Sequence, residues 1–172
     1  DEERAAIDAF VRWGSRVVWF VDVASGTDGL ASERGFDFGG GSVEDPSAFY
    51  VQPSTILAEV RPPWNEGVQD VGLFSAISVA SDDASPVALF PGTETPVAMA
   101  QTDVGQFIVV GSTAVIQNDV GEGGYYHGLY MLENCQFVLN LLDAGTCSVD
   151  ETNPEFTSAR IFNITTDAES TD

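Results

Sequence analysis

By residue type, two cysteines, one histidine and a serine behind an apolar run are the side chains best suited to nucleophilic chemistry. Their spacing argues against it. A cysteine nucleophile needs a histidine to take its proton and an acid to orient that histidine. Cys135 falls inside a predicted helix, Cys147 follows the end of it, and His127 stands beside Tyr125 and Tyr126 in a Gly-rich loop. Ser112 follows a predicted buried strand, but no G-x-S-x-G surrounds it. A P-loop needs lysine, and the chain has none. The Gly-rich stretches at 39–41 and 121–124 do not stand between a strand and its helix, so they read as loop punctuation. The expectation is a protein without catalytic residues.

Other residue pairs suit binding or stapling. Asp119 with Glu122, and Asp82 with Asp83, offer oxygen ligands to a hard cation such as Ca²⁺, the one cofactor the residues suggest. So acidic a chain produces such pairs by composition alone. Cys135 and Cys147 either close one disulfide, with a stabilisation of about 3 kcal/mol, or remain two thiols; they lack the spacing of a metal site. Asn163 opens an Asn-Ile-Thr sequon that would suit an exported protein. Around it, Ala159, Arg160, Ile161, Phe162 and Ile164 form the one apolar stretch of a polar tail and are candidates for assembly by strand addition.

Charge is the largest signal. Against 27 acidic residues stand six basic ones, a net charge of −21. All six are arginine: Arg4, Arg12, Arg16, Arg34, Arg61 and Arg160. The acids recur along the whole chain. In dilute buffer such a surface repels itself, whereas at molar salt the Debye length falls to about 3 Å and the repulsion is nearly gone. The composition, 44% hydrophobic and 10% aromatic, is that of a folded chain and not of a disordered acidic one. Adaptation to brine follows. Scattered arginines disfavour nucleic acid and anionic membrane surfaces. No stretch approaches the roughly 20 apolar residues of a membrane span. The polar opening Asp1-Glu2-Glu3-Arg4 does not read as a signal peptide, so any membrane anchor would have to come from flanking sequence.

The elements that must position these residues read as follows. Residues 1–14 form a helix with Ala6, Ile7, Phe10 and Val11 on one face, ended by Gly14. Residues 16–22 are an unbroken apolar run, the pattern of a strand covered on both faces in a parallel sheet. A long Gly- and Asp-rich connection occupies 23–53, and strands follow at 55–61 and 71–80. Residues 87–90 and 97–101 form a hairpin around Gly92. A second buried strand spans 105–111, and a helix over 128–143 carries Leu129, Leu132, Cys135, Leu139 and Leu142 on one stripe, widened by Phe137, Val138 and Leu141. Trp19 belongs to the core, while Trp64, after Pro62 and Pro63, is a candidate exposed contact.

Two segments together resemble a known group. Glu3-Arg4-Ala5-Ala6-Ile7-Asp8-Ala9-Phe10-Val11, leading through Gly14 into Arg16-Val17-Val18, is similar to the acidic helix, glycine and R-V-V strand of GldG-type domains. Gly105-Gln106-Phe107-Ile108-Val109-Val110-Gly111-Ser112, with Asn134 and Asn140-Leu141-Leu142-Asp143 behind it, resembles that group's closing strand and helix. The resemblance implies a class I glutamine-amidotransferase-like, flavodoxin-like fold: α/β, a mainly parallel sheet with flanking helices, lacking the first strand–helix–strand, plus an antiparallel hairpin. Residues 1–147 would be that domain and 148–172 an acidic, Ser/Thr-rich extension with one strand. The group's aromatic residue after the last helix is replaced here by Ala144 and Gly145.

These readings together describe a non-catalytic, salt-adapted interaction domain of a haloarchaeal cell-surface or membrane-associated protein. Its partner would be another protein or itself, and the resemblance implies a role accessory to a transport system. The alternative is a structural subunit of an extracellular filament or surface layer assembled by strand addition.

Overall fold

The structure, a computed structural model, describes residues 2–21, 29–44, 54–117, 129 and 132–145. In chain order the elements are α1 (Glu2–Arg12), β1 (Arg16–Phe20), α2 (Gly29–Glu33), β2 (Asp37–Ser42), β3 (Thr55–Val60), β4 (Val71–Phe74), β5 (Ile77–Ala80), β6 (Ser85–Leu89), β7 (Pro96–Thr102), β8 (Gln106–Val110), a 3-10 turn (Ala114–Ile116) and α3 (Asn134–Leu142).

The expected parallel α/β sheet is not what forms. One mixed sheet has the order β1-β8-β7-β6-β3-β4, and β2 pairs with β5 in a second, two-stranded sheet. Among the described strands only β1 and β8 run parallel; every other pairing is antiparallel. The reason lies in the connections. A parallel neighbour needs a crossover of a dozen or more residues, whereas short turns close antiparallel pairs. Between Ser85 and Val110 the strands are joined only by residues 90–95 and 103–105, which leaves no room for a crossover helix. The flavodoxin-like and amidotransferase-like reading is therefore overturned.

The two apolar runs nonetheless form strands with apolar cover on both faces, nearly complete for β8 and partial for β1. Along β8, Ile108 and Val110 join the cluster of Ala98, Ala100, Phe137 and Leu141 beneath α3. Phe107 and Val109 join Val11, Ala31, Phe36, Val79 and Met99 beneath α1, α2 and the β2–β5 pair. Successive strand side chains point to opposite faces, so an unbroken run serves two cores. Two-sided burial does not require a parallel sheet.

The 71–80 strand is broken in two. Ser75 has φ 47°, and after Ala76 the chain leaves the main sheet. The Ile77 N–H donates to the Gly111 carbonyl at 2.8 Å, and the Gly111 N–H donates to Val97 at 2.8 Å. A Cβ on Gly111 would strike the Ile77 carbonyl oxygen, so glycine is required where β5 crosses the end of β8. Likewise, a Cβ on Gly105 would meet the carbonyl oxygens of Val11 and Ser15, where α1 turns into β1.

The last helix is shorter than expected and turned about its axis. Leu132 has φ 51°, a left-handed value incompatible with a continuous helix from residue 128. The buried face of α3 carries Asn134, Phe137, Val138 and Leu141. Leu132 and Leu142, expected on the core stripe, are exposed at 37% and 46%. The connection over 23–53 holds α2 and β2, with the glycines at 39–41 lying inside β2. Trp64 is 7% exposed and belongs to the core, contrary to its reading as a contact residue. None of the helices in the described residues is long and apolar enough to cross a membrane.

Candidate functional site

The end of α1, the end of α2 and the β7–β8 turn enclose an open cleft of about 560 Å³. The spacing of α1 supplies one wall, since positions four apart stack on one helix side and Arg4, Asp8 and Arg12 all line the cleft. Glu33 ends α2, and Arg34 follows it before Gly35 turns the chain with φ 81°. Asp83 comes from the β5–β6 turn, Gln101 and Thr102 from the end of β7, and Asp103 from the turn into β8.

At the base lies the ring of Phe107, fully buried, with Trp19 and Phe36 at ring centroids 6.4 and 6.0 Å away. The Arg34 guanidinium stands over that ring, 4.4 Å from its centroid, and pairs with Asp8. A cation over an aromatic face is attracted by the ring quadrupole, most strongly where water is excluded. The Arg34 side chain is 17% exposed, so this cation is held firmly. Arg4 pairs with Glu33 across the mouth, but both side chains are close to half exposed. Such a pair contributes about 0–1 kcal/mol, and less in salt. Arg12, Asp83 and Asp103 enter no ion pair among the described residues.

Half of the protein's arginines thus meet in one place. Along the chain they are scattered, and only the fold gathers them. Positions 4 and 12 on one side of a helix were the available signal; nothing local could bring Arg34 to them.

The sequence-predicted residues fare differently. Ser112 is fully buried and its hydroxyl donates to the Phe74 carbonyl at 2.8 Å, a structural bond that ties β8's end to β4. Cys135 is disulfide-bonded; Cys147, the only other cysteine in the chain, lies outside the described residues. Also outside them lie Asp119 and Glu122, His127, the sequon at Asn163, and the assembly segment Ala159, Arg160, Ile161, Phe162 and Ile164. Asp82 and Asp83 sit on an exposed turn. Among the described residues no group of three or more His, Cys, Asp or Glu side chains is placed to hold a metal ion.

A second feature stands at the C-terminal end of α1. Trp13 is 83% exposed, Val104 69% and Phe10 49%. Val104 lies against Gly14, so the turn before β8 extends the apolar surface begun by the helix. Ala6, also exposed, precedes Phe10 by four positions and Trp13 by seven. This outer stripe is distinct from the inner one, where Ile7 and Val11 pack on the sheet.

No protein-family model matches the chain, and neither does any curated protein or solved structure.

Proposed function

We propose that the chain is a salt-adapted, non-catalytic interaction domain working outside the cell in concentrated brine, and that it associates with a second copy through the outer face of α1. The observation that carries this is Trp13, 83% exposed, with exposed Phe10 three positions before it and exposed Val104 against the adjoining Gly14, on a chain of net charge −21. Full burial of one large apolar side chain contributes about 1.5–3 kcal/mol. Contiguous exposed patches of this kind mark interaction sites. The stripe Ala6, Phe10, Trp13 has the i, i+4, i+7 spacing of a helix seam, with a small residue at one end and a large one at the other. Two copies related by a two-fold axis would set the small end of each against the large end of its partner, as isologous contacts require. Screened carboxylates permit that approach only in salt.

A role accessory to a transport system was implied solely by the resemblance to parallel α/β domains, and a mixed, mainly antiparallel sheet gives it no support. The alternative of a filament or surface-layer subunit turns on residues 159–164, which lie outside those described.

Light scattering coupled to size exclusion in molar NaCl tests the reading. The wild type is expected as a dimer that dissociates as salt is lowered, and Trp13→Glu as a monomer throughout. A wild type monomeric at all concentrations in molar salt defeats the proposal. Open polymers lost on deletion of residues 158–172 would favour the filament.

A further inference from the structure

We infer that the arginine cleft is a binding site for a small zwitterion carrying a carboxylate and an ammonium group, such as a free amino acid. Within the cleft two of the three arginines already have a carboxylate partner, Arg34 held by Asp8 and Arg4 loosely by Glu33. What remains is one cation, Arg12, and two carboxylates, Asp83 and Asp103, all unpaired among the described residues. Gln101 and Thr102 line the same wall and make no side-chain hydrogen bond among the described residues. The unused groups are therefore one fork-shaped donor set for a carboxylate, two acceptors for an ammonium, and polar groups between them.

Charge selects the ligand class. The whole lining sums to three arginines against Asp8, Glu33, Asp83 and Asp103, a net of −1 within a chain of −21. In brine the wider field is screened, and a simple anion competes with molar chloride for Arg12. A simple cation competes equally with molar sodium for the aspartates. A molecule bearing both charges at fixed separation engages both sets at once, and for it the second contact is intramolecular. The volume, about 560 Å³, is within the range of small-molecule sites. Arg34 on Phe107 gives the site a fixed floor.

The site is independent of self-association, so the test uses both the wild type and Trp13→Glu. Amide NMR spectra in molar NaCl are titrated with glycine, 4-aminobutanoate and 6-aminohexanoate, which span three charge separations. Acetate and ethylammonium serve as single-charge controls. At least one amino acid is expected to give saturable shifts at residues 101–103 and along α1 in both chains, with neither control saturating. Arg12→Gln and Asp103→Asn, both at exposed positions and checked for folding by the same spectra, are each expected to weaken binding at least tenfold. The inference fails if none of the three amino acids saturates, if acetate or ethylammonium binds as well as they do, or if both variants bind like the wild type.

Discussion

Side chains, not a strand, cover one edge of the main sheet, and Asn134 is the buried one among the helix residues that do so. Asn134 accepts a hydrogen bond from the Gly72 N–H at 2.8 Å and donates to the Gly72 carbonyl at 2.7 Å, while fully buried. Glu133 does the same for Asp70, its side chain accepting from the Asp70 N–H and its own N–H donating to the Asp70 carbonyl. Residues 133–134 thereby stand in for a neighbouring strand on β4 and blunt an edge that would otherwise invite pairing with another chain. Asn134→Ala leaves a buried N–H and C=O without partners, at about 1–3 kcal/mol for each group. The expected result is a urea midpoint well below the wild type's and a greater tendency to aggregate. Asn134→Asp should be at least as damaging, because it keeps the acceptor, loses the donor and buries a charge. Equal stability of either variant with the wild type would show that the edge is held by something else. The sequence singled out Asn134 only within a resemblance to a helical motif, and in a helix expected over 128–143 nothing pointed it at the edge of a strand. The arginine cleft was hidden similarly, because Arg34 reaches Asp8 only through the tertiary fold.

At the scale of elements, apolar pattern was a good guide to where strands and helices lie and a poor one to how they pair. α1, β1, β3, the β6–β7 hairpin and β8 all fall where periodicity and glycines place them. Strand direction is set instead by the length of the connections, and the runs at 16–22 and 105–111 look the same whichever partner they take. In α3 the inner face falls on the widening residues Phe137, Val138 and Leu141 and not on Leu139 and Leu142; apolar residues occupy every position from 137 to 142 except Asn140, so spacing alone cannot centre the stripe. The structure chooses Phe137 and Leu141, each fully buried, over the half-exposed Leu142. Leu141→Ala is accordingly expected to cost about 2–5 kcal/mol, and Leu142→Ala under about 1 kcal/mol, both by chemical denaturation; the reverse order would restore the sequence-derived stripe. Arg16 fixes the same helix from below. Its guanidinium donates to the carbonyls of Asn140 and Leu141 at 3.2 and 3.0 Å, at the helix end where a cation is favoured. Arg16→Ala should loosen the α3 C-terminus and be read as faster amide exchange at 143–145 than at α1.

For the molecule as a whole, the decisive quantity is the field of its own surface. The net charge of −21 is spread over a chain whose described cations are largely committed to partners within the fold: Arg16 to α3, Arg34 to Asp8, Arg4 to Glu33. Little positive charge is left to offset the carboxylates, so the folded state carries a repulsion that the more expanded unfolded chain relieves. Salt acts on that difference. At 0.1 M the Debye length is about 10 Å, enough for neighbouring carboxylates to act on one another, and at 1 M it is about 3 Å. Thermal midpoints should therefore rise steeply from dilute to molar NaCl and continue upward in sulfate, which also strengthens apolar burial. Replacing surface acids tests the cause directly. Exchanging Asp82, Asp83 and Glu94, all exposed, for their amides should raise stability in dilute buffer and have little effect at molar salt. Were the triple variant instead no more stable at low salt, or the wild type to unfold as NaCl increases, repulsion would not be what governs this fold, and its interior would have to be stable enough to ignore its surface.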